Sequence, residues 1–235
     1  MSIQGIFPIE KWDFNSESIL ADLPERDLQI LMARKLQQTY RKGEIIFRED
    51  AYPSGIFYLV SGKAKKYKMD KDGREQIIYV ANTGELLGYH AILSGDNYPD
   101  SAAVMEDSLI VFIPKEDFLE TIRQSDVLNR RLLKTLSHEF VVLTNSLTMF
   151  AQKSVRERLA LQLVVVREKY KIDFEPGQPV EINMSRDDLA SLVGTARENV
   201  VRTLSEFKSE GILETRGRKI IVLDVKRLVK AANYR

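Results

Sequence analysis

The 235-residue chain has no cysteine. Disulfides, thiolate zinc sites, iron–sulfur clusters held by cysteine and cysteine nucleophiles are thereby excluded. No apolar run approaches the roughly 18 residues of a membrane span, and the opening MSIQGIFPIEKWDF lacks a basic segment followed by a hydrophobic one, so neither a span nor a secretory signal is expected. Histidine and tryptophan are scarce, at two and one. His90 and His138 fall in different predicted elements, which gives no recognisable metal cluster. His90, Asp100 and Ser101 lie close in sequence, but no nucleophile elbow or oxyanion-hole motif accompanies them, and no catalytic activity is expected. Composition and length fit a soluble, cytoplasmic chain of one large domain or two small ones.

Net charge is only +1, but it is unevenly spread. Residues 151–235 hold 17 Lys and Arg against 12 Asp and Glu, whereas residues 1–150 hold 18 against 22. A basic C-terminal part suits contact with a polyanion such as DNA. Within it, MSRDDLASLVGTARENVVRTLSEFKSEGILETR, from Met184 to Arg216, predicts two short helices joined by a tight turn. Ser185 caps the first, with Asp188 three residues on, and Leu189, Leu192 and Val193 form its buried stripe. Gly194 ends it. The second helix begins near Thr195 and Ala196 and turns Val200, Val201, Leu204 and Phe207 to the core. Arg197, Glu198 and Arg202 remain on its outer face, where Arg suits guanine O6 and N7 and Glu suits cytosine N4. The same charges also fit a solvated helix face. Next comes the hairpin GILETRGRKIIVL, whose turn residues Arg216, Gly217, Arg218 and Lys219 make a basic tip suited either to phosphate contact or to plain solvation.

Residues from about 40 to 113 read as all-β, with GEIIF, GIFYLVSG, KAKKYKM, EQIIYV and SLIVFIP separated by DKDG, NTGE and SGDNYPD. Regular short strands with glycine turns predict a small barrel or roll. From Lys115 the pattern becomes helical, and Leu133, Leu136, Phe140, Leu143, Leu147 and Phe150 recur in an unbroken a/d heptad seam. Periodicity alone fits either packing on the chain's own β domain or pairing with a second helix.

The order of these parts, and the segment VGTARENVVRTLSEFKSEGIL, resemble the Crp/Fnr family of bacterial transcription regulators over nearly the whole chain. The resemblance implies an α+β fold with an N-terminal cyclic-nucleotide-binding-like β-roll (1–125), a dimerisation helix (126–150) and a C-terminal winged helix-turn-helix (151–235). It puts Arg197, Glu198 and Arg202 in the base-reading places of the cyclic-AMP receptor type. Ser185, Thr195, Arg216, Arg218 and Lys219 fall at the DNA backbone, and the heptad seam becomes a homodimer coiled coil. The implied target is double-stranded DNA carrying an inverted repeat with TGTGA-like half-sites, with RNA polymerase as a protein partner.

GIFYLVSGKAKKYKMDKDGREQIIYVANTGELLG resembles the family's nucleotide-binding roll, but the phosphate cassette does not match. Cyclic-nucleotide binders carry Gly-Glu-Leu and, about ten residues on, Arg-Ser/Thr-Ala. Here Gly88, Tyr89 and His90 and then Asp100, Ser101 and Ala102 take those places, while Leu143 and Thr144 replace an adenine-contacting Thr-Ser pair. An anion stands where the phosphate-pairing arginine belongs, and Gly88 to Met105 contains no Lys or Arg. Cyclic AMP is therefore not expected to bind, and Gly88, Tyr89, His90, Asp100, Ser101 and Thr144 are assigned to a pocket for an unidentified effector. Lys63, Lys65, Lys66, Arg130 and Arg131 are the cations that could still serve an anionic ligand. Two alternatives remain at this stage, a haem, gas or redox sensor on the same fold and a cyclic-nucleotide-binding regulatory subunit of an enzyme.

Overall fold

The structure, a computed structural model, describes residues 3, 5–14, 16–171 and 179–234. Contacts divide it into two compact units, Phe14–Phe140 and the residues up to Asp13 together with Val141–Arg235. The N-terminal segment joins the C-terminal unit. There Phe7 and Trp12 meet Tyr234 edge to face, with ring centroids 5.3 and 5.7 Å apart, and Lys169 Nζ lies 3.0 Å from Asp13 Oδ1.

In the first unit α1 (Glu17–Leu20) and α2 (Glu25–Leu31) precede β1 (Leu36–Tyr40), β2 (Ile45–Phe47), β3 (Gly55–Ser61), β4 (Lys63–Met69), β5 (Glu75–Asn82) and β6 (Leu86–Leu87). A short helix, α3 (Tyr89–Ser94), comes before β7 (Ser101–Val104) and β8 (Ser108–Pro114), α4 (Lys115–Gln124) follows, and α5 (Asp126–Gln152) starts in this unit and ends in the other. The strands form two antiparallel sheets, ordered β1-β8-β3-β6 and β2-β7-β4-β5. β3 and β8 read as continuous apolar runs because both their faces are buried. Phe57, Leu59 and Ile110 point into the aromatic-rich core with Phe47 and Tyr98, whereas Ile56, Val111 and Ile113 face a second core with Leu31, Phe118 and Leu128. A Cβ on Gly55 would stand 2.2 Å from the carbonyl oxygen of Ile113, so only glycine lets the two strands close there.

The stretch expected to be all-β therefore contains a helix. Its six residues are too few to display a 3.6-residue period. β1 escaped the sequence reading because LQQTY is exposed along most of its length and shows no apolar alternation.

α5 carries two stripes. Leu128, Leu132, Thr135, Glu139, Val142 and Met149 are buried, while Leu133, Phe140 and Leu147 are 65%, 68% and 71% exposed. Within the β-domain unit, Leu133 and Phe140 thus stand off the core, whereas Leu136 is partly buried against the core around Leu128 and Leu132.

The second unit continues with α6 (Val155–Lys171), β9 (Glu181–Asn183), α7 (Arg186–Val193), α8 (Arg197–Ser209), β10 (Leu213–Arg216), β11 (Lys219–Val222) and α9 (Val225–Ala231). β9 completes a three-stranded sheet, β10-β11-β9, that the sequence reading left as a hairpin. Among the described residues no helix is long and apolar enough to cross a membrane.

Candidate nucleic-acid interface and effector site

The turn between α7 and α8 is built from local chemistry and pinned by one distant side chain. Ser185 Oγ accepts from the amide of Asp188 at 2.9 Å and donates to Asp188 Oδ2 at 2.6 Å. Its hydroxyl is therefore engaged in capping. Gly194 closes α7 at φ 68°, a left-handed conformation costly for other residues. Arg158 of α6 then donates from Nε to the Val193 carbonyl at 2.9 Å and from Nη2 to that of Gly194 at 3.1 Å. No sequence signal marked Arg158, since its partners lie 35 and 36 residues away.

α8 is held from behind and open in front. Val200, Thr203, Leu204 and Phe207 are buried, and Arg156 stacks over the Phe207 ring at 4.4 Å while pairing with Glu206 and Glu210 at 3.0 and 2.7 Å. Arg197, Glu198 and Arg202 are exposed. Val201 is 45% exposed, contrary to its expected place in the core, because the buried stripe runs through its neighbours Val200 and Leu204. Arg197 meets Asp187 at 3.6 Å, and Arg202 Nη2 donates to Asn199 Oδ1 at 3.0 Å. The Arg197–Asp187 pair is open to solvent, so it costs little to release when a ligand arrives. Thr195 Oγ1 accepts from Asn199 Nδ2 at 3.0 Å, which ties the turn to the first helical turn.

In the wing the two-residue turn Gly217–Arg218 joins β10 to β11, with Gly217 at φ 58°. Arg186, at the start of α7, donates to the carbonyls of Arg218 and Gly217 at 3.1 and 3.2 Å and so fixes the tip. Arg216 pairs with Glu214 at 3.1 Å and Lys219 with Glu181 at 2.5 Å, whereas no ion pair engages exposed Arg218 among the described residues.

At the expected effector site the structure supplies internal partners. Asp100 is buried and meets Lys66 Nζ at 3.0 Å, and Ser101 Oγ accepts from the Glu49 amide at 2.9 Å. Gly88 opens α3 at φ 82°. Tyr89 donates to Glu139 Oε1 at 2.5 Å, His90 Nε2 lies 2.6 Å from Glu139 Oε2, and the two rings stack at 4.1 Å. Thr144 departs from the expectation, since it is exposed, donates to the Val141 carbonyl and belongs to the other unit. Lys63 and Lys65 pair with Glu106 and Glu75, and Arg131 donates to backbone carbonyls of Ile19 and Asp22. Inside the roll Phe47 stacks on Tyr98 at 4.2 Å and on Phe57 at 5.5 Å, and the Tyr98 hydroxyl, pushed up to about 12 by burial, donates to the Gly55 carbonyl. The phosphate cassette of a cyclic-nucleotide binder does not fit residues arranged in this way. Glu139, which the sequence reading missed, and Lys66, which it named only as a cation for an anionic ligand, occupy polar groups that a ligand would need.

Glu139 is the hub of this cluster. Burial opposes its charge, but the hydrogen bond and charge of His90, with help from Tyr89 and Lys66, hold the carboxyl below its ordinary 4.5. Burial and the neighbouring carboxylate push the Tyr89 hydroxyl far upward, so it stays a donor. Glu139→Ala is expected to destabilise this unit by about 1–3 kcal/mol, because the buried Tyr89 hydroxyl loses its acceptor. A carboxyl whose value is lowered on folding contributes fully above 4.5 and loses that contribution as pH falls through the lowered value. Urea melts across the acid range should therefore show a shallower acid limb for Glu139→Gln than for the parent chain.

A β-roll followed along the chain by a capped helix-turn-helix and a wing is the layout of a DNA-binding protein with a separate N-terminal domain. Residues 37–125 match the cyclic nucleotide-binding domain family and residues 157–231 the Crp-like helix-turn-helix domain. The transcriptional activator protein anr of Pseudomonas aeruginosa is 28% identical over 184 residues, 78% of this chain and 75% of that protein. The fumarate and nitrate reduction regulatory protein of Escherichia coli is 25% identical over 195 residues, 83% and 77% of the two chains. The fold is shared with FixK2 from Bradyrhizobium japonicum, at TM-score 0.72 and 24% identity over 84% of this chain and 96% of that one. The chain belongs to the Crp/Fnr family of transcription regulators.

Proposed function

We propose that the protein binds an inverted repeat as a homodimer and that Arg197, Glu198 and Arg202 read its bases. The observation that carries this reading is the outer face of α8, where these three side chains stand exposed on a helix buttressed by Arg156 and Arg158. Arg197 and Arg202 are five residues apart, about 7.5 Å along a helix axis, which is close to two base-pair steps of ~3.4 Å. That spacing suits the two guanines of a TGTGA-like half-site. The exposed stripe Leu133, Phe140, Leu143, Leu147 and Phe150 supplies the dimer seam, and a two-fold dimer calls for a palindrome. Arg218 at the wing tip, with Thr195 at the turn, lies at the DNA backbone in this reading, and RNA polymerase is the protein partner. Selection from random duplexes by the purified protein should return inverted TGTGA-like half-sites; enrichment of unrelated or non-repeated sequences would refute the assignment.

Cyclic AMP is not the effector in this proposal. Its phosphate would meet the Asp100 carboxylate, and Lys66 is already paired there, so several kcal/mol of the usual charge-assisted binding is missing. Calorimetric titration with cyclic AMP and cyclic GMP should show no binding at micromolar concentrations; a saturable heat there would contradict it.

A further inference from the structure

We propose that the cavity where the N-terminal segment, the end of α5 and residues 233–234 meet is a binding site for a small planar aromatic carboxylate. The cavity measures about 620 Å³, within the usual range for small-molecule sites, and all of its lining residues belong to the second unit. The proposal is independent of the DNA-reading and β-roll assignments above. At about 100° of rotation per residue, the lining residues Asn145, Thr148 and Gln152 stand on the side of α5 roughly opposite Leu143, Leu147 and Phe150. Pairing along the heptad seam would therefore leave the cavity open.

The walls select the ligand by what they leave unmatched. Lys11 and Lys153 line the cavity, and no Asp or Glu does. Lys153 Nζ donates to the carbonyls of Ala232 and Asn233 at 3.1 and 2.9 Å, which leaves one of its three donors over. Lys11 is exposed, and its ammonium, on a flexible four-carbon stem rooted at the wall, meets no carboxylate among the described residues. The backbone acceptors at this corner are already engaged. Asn145 Nδ2 donates to the Lys11 carbonyl at 2.8 Å, the Lys153 amide to that of Met149 at 3.0 Å, and Arg158 Nη1 to that of Lys153 at 3.0 Å. Glu157, whose charge Lys153 helps to hold, accepts from Ser154 and Asn233. Donors are therefore in surplus, and a complementary ligand brings acceptors carrying negative charge. Trp12 and Tyr234, edge to face at 5.7 Å, supply aromatic wall for a flat ring.

The test uses the full-length protein, whose single tryptophan is Trp12, so that its one indole N–H resonance reports on this cavity. Titration with benzoate or naphthoate should shift that resonance to saturation at submillimolar concentrations. Benzamide, which has the ring without the charge, and acetate, which has the charge without the ring, should leave it in place. Lys11→Gln changes an exposed side chain and leaves the packing of the unit intact, and it should weaken naphthoate binding by about threefold. Lys153→Gln, with folding checked by circular dichroism, should weaken it further. Failure of naphthoate to saturate, an equal response to benzamide or acetate, or undiminished affinity in Lys11→Gln overturns the proposal.

Discussion

Leu147→Lys is expected to turn the protein into a monomer and to abolish binding to the inverted repeat. In the single chain Leu147 is 71% exposed, so a lysine there sits in water and leaves the chain's own cores untouched. In a coiled-coil dimer the same position faces its counterpart across the seam, and burying an unpaired ammonium costs several kcal/mol for each of the two chains. Phe140→Lys, at 68% exposure, should behave alike. Sedimentation should halve the mass and circular dichroism should retain the helical signal. A dimer that survives both changes would remove α5 as the interface.

Arg197→Ala and Arg202→Ala should each erase guanine preference at one position of every half-site. A bidentate arginine–guanine contact discriminates by about 1–3 kcal/mol, and a two-fold complex contains each contact twice. Neither residue helps bury the core, so folding should be unchanged, and the weaker, salt-dependent attraction to any duplex should persist. Arg→Lys should restore selectivity only in part, because a flexible ammonium can reach O6 and N7 but lacks the rigid planar fork of a guanidinium. Selection with the variants decides the matter. If both return the parental motif, the recognition assignment is wrong.

The helix-turn-helix was legible residue by residue because its signals are local. Ser185 with Asp188, the left-handed Gly194 and the spacing of Val200, Leu204 and Phe207 act within one or two helical turns. Val201 was misplaced because a 3.6-residue period leaves the residue beside a buried one ambiguous, and only packing assigned it to the outer face. The effector region was legible as a mismatch alone. Asp100 announced a missing cation from the chain itself, but its partner Lys66 sits on a neighbouring strand 34 positions earlier, and Glu139 reaches Tyr89 and His90 across about 50 positions.

What the sequence determined by itself is the class of the molecule, since strand, turn, cap and heptad patterns depend on near neighbours and occur here in an order that resembles one family. Tertiary structure alone decided which stripe of α5 is buried and which is bare, and that Val201 of α8 faces outward. It also decided that Asp100 pairs with Lys66 and that Tyr89 and His90 meet Glu139. Those outcomes depend on pairs of residues far apart in the chain, and burial and charge pairing between such residues are set only when the strands and helices close on each other.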